Sequence, residues 1–145
     1  MQSLNKRLSG VSDVVNGEGT FVCEPIPVDL TKECLVTLTG FKDELVWWEN
    51  EKVYGHSKIR LCNANKIGLA TWYFTKPEYD TSYQKLAITE DGDDYTFDVR
   101  DLLEKEGSIG STTPTASEVQ YVQFCFNISS TTITEERTTG FEILM

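Results

Sequence analysis

The chain has 145 residues, 39 % hydrophobic and 11 % aromatic, which fits one domain with a sizeable core and is too apolar for a disordered chain. Its net charge of −10 argues against the basic footprint that nucleic-acid phosphates or an anionic membrane surface require. No apolar run approaches the roughly 20 residues of a spanning helix.

The opening, MQSLNKRLSG, lacks the apolar stretch and cleavage site of a signal peptide, which leaves export without one or a piece of something longer. Leu4, Leu8, Val11 and Val15 then repeat at the spacing of a heptad seam, and Asn16-Gly17-Glu18-Gly19 breaks it. Residues 1–19 are therefore expected as a short helical or linker segment, the end of a coiled coil being the sharper form. Residues 20–145 are expected as a β domain.

From Phe21 the punctuation is that of an all-β chain. Pro25 and Pro27 confine 21–28 to an edge strand or extended entry. Strands follow at 34–40, 45–48, 58–63, 69–75, 84–88, 94–100, 119–128 and 138–144, and VRDLLEK supplies one short helical stretch. Nine short strands bounded by turns predict an antiparallel two-sheet β-sandwich, jelly-roll-like in form. In YTFDVR, Tyr95, Phe97 and Val99 are expected inward.

Three of these strands carry the most information. Alternation puts Ile59 and Leu61, then Ala70, Trp72 and Phe74, then Val122, Phe124, Phe126 and Ile128 on apolar faces. The opposite faces carry Arg60 and Cys62, then Thr71 and Tyr73, then Tyr121, Gln123, Cys125 and Asn127. Rings cover the apolar face of a pyranose, and planar donors and acceptors take its hydroxyls. Provided the strands share a sheet, Tyr73 and Tyr121 with Arg60, Gln123 and Asn127 suit a carbohydrate ligand. Trp47 and Trp48 are adjacent in a strand-like run, so one is expected in the core and the other toward solvent, a ligand or a partner; Trp47 joins the candidate carbohydrate-binding residues.

Catalytic signals are sparse. The chain has no GxSxG elbow, P-loop, GxGxxG or HExxH, and its one histidine, His56, stands in a Gly/Ser-flanked loop. Glu44, Glu49 and Glu51 flank the tryptophans, which leaves a two-carboxylate glycosidase as a formal option only. No enzyme activity, catalytic residue or cofactor is expected. Calcium is the one metal considered: Glu90-Asp91-Gly92-Asp93-Asp94 is acidic but lacks the register of a calcium loop and reads as a hairpin turn. Cys23, Cys34, Cys62 and Cys125 show neither zinc-ligand spacing nor a dense disulfide framework, so free thiols are expected. The sequon at Asn127-Ile128-Ser129 falls inside a strand and reads as chance.

The segments IPVDLTKECLVTLTG, SKIRLCNANKIGLATWYF and SEVQYVQFCFNIS, in that order, resemble the carbohydrate-binding-module-like β-sandwich domains of bacteriophage tail and baseplate receptor-binding appendages. The resemblance spans roughly residues 21–143 and lies in strand order and turns; Cys62 and Asn63-Ala64-Asn65 depart from the turn such domains often carry. It implies a non-catalytic glycan-binding domain on the virion surface or outside the cell, with a cell-surface polysaccharide as partner. A homotrimer, or attachment to a larger protein, would follow the N-terminal heptads. Two alternatives accompany it: a virion structural or assembly domain that binds no sugar, and a carbohydrate-binding module of a plant-cell-wall-degrading enzyme. Fold alone decides none of these.

Overall fold

The computed structural model describes residues 5–9, 14–15, 18–22, 25–39, 45–79, 85–88, 94–105, 108, 113–129 and 138–144. Among them are eleven strands: β1 (Asn5–Ser9), β2 (Val14–Val15), β3 (Glu18–Val22), β4 (Ile26–Pro27), β5 (Leu35–Thr39), β6 (Lys58–Cys62), β7 (Gly68–Thr75), β8 (Lys85–Ala87), β9 (Asp94–Asp98), β10 (Tyr121–Ser129) and β11 (Thr138–Leu144). Helix is confined there to two 3₁₀ turns, Pro77–Tyr79 and Val99–Glu104, the second being the VRDLLE stretch.

The described residues are thus all-β and form two sheets. One runs β1-β11-β5-β9, and the other runs β2-β3-β10-β6-β7-β8, with β4 beside β3 on the same edge of β10. Among the described residues every strand pairing is antiparallel except β7 with β8. That exception departs from the all-antiparallel expectation, and residues 76–84, with the Pro77–Tyr79 turn among them, make the connection.

Alternation explains the core. Ile59, Leu61, Ala70, Trp72, Phe74, Val122, Phe124 and Phe126 are all buried and join one apolar cluster with Val36 and Leu38 of the other sheet. Tyr95 and Phe97 of β9 pack against it, their rings stacked at 5.3 Å. Phe74 and Phe126 stack nearly parallel at 5.8 Å, and Phe124 and Phe126 at 6.1 Å. Both sheets therefore present apolar faces to one cluster.

Two expectations change. Where residues 1–19 are described, the helical reading gives way to strand: β1 pairs with β11, β2 with β3, and β3 crosses the boundary expected at residue 19. Two heptads make a marginal helix in water, whereas strand pairing satisfies the same backbone groups between segments. Leu4 and Val11 of the heptad seam lie outside the described residues. The strand expected at 45–48 is reduced to isolated bridges, one of them between Trp48 and Val53. Lys52, at φ 58°, turns the chain there.

Candidate functional site

Residues 63–67 close the β6–β7 hairpin. The Asn63 side-chain carbonyl accepts from the backbone N–H groups of Asn65 (2.9 Å) and Ile67 (3.1 Å), an Asx turn that fixes the loop. Lys66 takes a left-handed conformation at φ 62°, and Ile67 is 60 % exposed. A register shift follows immediately, so that Cys62 lies opposite Gly68 while Leu61 lies opposite Ala70.

The sequence-stipulated condition, that the three strands share a sheet, holds. β6 lies between β10 and β7: Arg60 is opposite Gln123 on one side and Thr71 on the other. Tyr121 is opposite Cys62, and Tyr73 is opposite Lys58. Both tyrosines are thus diagonal neighbours of Arg60, one on each flanking strand, a relationship that spans about 7–8 Å between Cα atoms.

Arg60 Nη1 donates to Gln123 Oε1 at 3.2 Å, which fixes both planar groups side by side. Among the described residues no carboxylate pairs with Arg60, Lys58 or Lys66. The lysines lie instead on rings: Lys58 Nζ is 5.8 Å from the Tyr73 centroid and Lys66 Nζ 5.4 Å from that of Tyr121. Gly68 leaves room for the Arg60 stem, since a Cβ there would stand 2.7 Å from Arg60 Cδ. Arg60, Thr71, Tyr73, Tyr121 and Gln123 are all half-buried, so the face is shallow and partly covered.

Cys62 and Cys125 form an apolar part of the same face, both free and buried. Burial is the main cause that pushes each thiol up; Arg60 opposes it at Cys62, and Lys58 and Arg60 oppose it at Cys125. Both therefore stay neutral at neutral pH. Cys34 is also free, whereas Cys23 lies outside the described residues.

Trp47 is not part of this face. Its ring meets Tyr54 edge-on at 5.0 Å and stacks on Tyr79 at 6.0 Å, with Lys76 Nζ 4.3 Å from its centroid. Its indole N–H donates to Glu49 Oε2 at 2.8 Å. Glu49 in turn pairs with Lys52; that bond first, then the indole, holds its carboxyl below the usual range. Ring and polar handle thus both have partners within this loop, away from the β10-β6-β7 ladder that holds the other candidate residues. Trp48, its neighbour, is half-buried too and meets the exposed His56 edge-on at 4.5 Å.

Asn127 lies beyond the β6 ladder, opposite Thr20 of β3. Within the acidic run expected as a hairpin turn, residues 90–93 lie outside the described residues. Sequence reasoning missed Lys58, Lys66 and Gly68. Lys58 was legible, because it shares the parity of Arg60; the Lys66 and Gly68 contacts depend on the hairpin's turn and register shift.

Compared with protein-family models, curated proteins and solved structures, the chain matches none.

Proposed function

We propose that this chain is a non-catalytic glycan-binding domain, a jelly-roll-like β-sandwich carried on a phage appendage that contacts a bacterial surface. The observation that supports the reading best is the juxtaposition on β10-β6-β7: a guanidinium and an amide hydrogen-bonded to each other, with a tyrosine diagonal to the guanidinium on either side. The rings stack on sugar faces, Arg60 and Gln123 take hydroxyl or acidic groups, and Thr71 adds a hydroxyl beside them. Binding at so shallow a face is weak per copy, and several copies or attachment to a larger protein supply avidity.

A glycan array read with the wild type and Tyr73→Ala tests this. The expected result is binding by the wild type and roughly tenfold weaker binding by the variant, the loss of about one aromatic contact. Binding that survives the substitution unchanged would remove this face from the account.

A second reading, a virion assembly domain that binds no sugar, has one observation in its favour. Lysines already lie on both tyrosine rings, and the two thiols of the same face are buried. Burial of the β10-β6-β7 face against another subunit in an assembled particle would establish it and end the sugar reading.

A further inference from the structure

None of the chain's 23 acidic residues falls in β6, β7 or β10. The face those strands build carries Lys58 and Arg60, and Lys66 joins it from the hairpin through its contact with Tyr121. Among the described residues none of these three cations has a carboxylate partner. In this chain of net charge −10, Lys52 and Arg100 by contrast each pair with a carboxylate. Arg60 spends one guanidinium N–H on Gln123 and keeps the rest of its fork.

We infer that the ligand is an anionic saccharide, one whose sugar ring itself bears a carboxylate, as in a uronic acid. The inference rests on the glycan-binding reading above and narrows its substrate class. A carboxylate matches the planar fork of a guanidinium and accepts two hydrogen bonds at once. In a uronic acid that carboxylate is attached directly to the pyranose, so one rigid unit can lay its ring on a tyrosine and its charge against the diagonal Arg60. Lys58 and Lys66, already above the tyrosine rings, stand beside the same unit as point charges. The neutral thiols of Cys62 and Cys125 add no negative charge to oppose it. Long-range repulsion by the rest of the chain is screened beyond about 8 Å at physiological ionic strength, so an approaching anion meets the local cations.

The test uses the full chain on immobilised polygalacturonate, alginate and hyaluronan, on the methyl esters of the same three polymers, on neutral dextran and cellulose, and on polyphosphate. Esterification keeps the rings and removes the charge. The expected result is binding to at least one uronate polymer and its loss on esterification. Affinity should fall about tenfold in Arg60→Gln, the equivalent of one charge-assisted hydrogen bond. Lys66→Gly supplies a second variant that relieves a left-handed backbone and so keeps the fold while removing a cation; weaker uronate binding is expected there too.

Equal binding to acid and ester, or binding to the neutral polymers alone, overturns the anionic assignment while leaving glycan binding in place. Polyphosphate binding as tight as uronate binding overturns the carboxylate assignment. Binding to no polymer overturns the inference, and an array that is also blank takes the glycan reading with it.

Discussion

Arg60 owes its position to a missing side chain. Its stem passes so close to Gly68 that an added Cβ would overlap Cδ, while its guanidinium is anchored by Gln123. Gly68 does not have a positive φ, so Gly68→Ala is tolerated by the backbone and acts on the stem. Glycan affinity is expected to fall several-fold in that variant with the unfolding midpoint little changed, measured side by side by titration and by urea unfolding. Trp72 is a different residue-scale case, because its buried indole N–H has no hydrogen-bond partner among the described residues. Trp72→Phe removes that orphan donor, whose burial costs about 1–3 kcal/mol, and so should cost less than about 1 kcal/mol net. Phe124→Ala has no such offset and should cost about 3–5 kcal/mol. Equal costs in urea unfolding would mean that the indole has a partner. Cys34 links stability to pH: burial, and secondarily the Asp98 carboxylate, push its thiol up from 9.0 to about 11. The folded chain holds this proton more tightly, so the contribution is complete below pH 9.0 and is lost as pH rises through about 11. Denaturation midpoints across that window should decline less steeply in Cys34→Ala.

Among the elements, the join between β5 and β9 hangs on Asp98. Its carboxylate accepts from the Cys34 and Arg100 backbone N–H groups, both at 3.0 Å, and from Arg100 Nη2 at 3.0 Å, capping the 3₁₀ turn that follows. Asp98→Ala should destabilise the domain by about 1–3 kcal/mol, since three donors lose one acceptor; a change within a few tenths would contradict that role. The strand parities of β6, β7 and β10 were legible in the sequence because both faces obey period two, and the buried Ile59, Trp72 and Phe124 follow it. Adjacency of β6 and β7 was legible as well, through the polar turn Asn63-Ala64-Asn65-Lys66. Adjacency of β6 and β10 was not: the ladder joins residues about sixty apart in sequence, and no local pattern specifies such a pairing. The N-terminal heptad misled for a related reason. Its spacing describes a helix, but pairing with β11 and the β2–β3 ladder outweigh so weak a local preference. The surroundings of Trp47 were not legible, because the bridged loop around it and the Pro77–Tyr79 turn it stacks against come together only through tertiary packing.

Over the whole molecule, charge and apolar surface are sorted in different ways. Apolar faces of both sheets meet in one cluster, which accounts for the fold. No carboxylate stands in β6, β7 or β10, the strands that carry the tyrosine–arginine face, and its three cations have no carboxylate partner among the described residues, which supports the proposed ligand. If that face holds an anionic glycan, affinity should fall steadily as NaCl rises from about 0.05 M to about 0.5 M, because screening weakens the local attraction. A salt-independent affinity in isothermal titration would point to ring stacking alone. The most direct measurement is an amide-resolved NMR titration of the chain with a glycan that the array identifies. The account predicts shifts concentrated at residues 58–62, 66–73 and 121–125. Shifts centred instead on Trp47 and residues 76–79, or spread without pattern over both sheets, would contradict it.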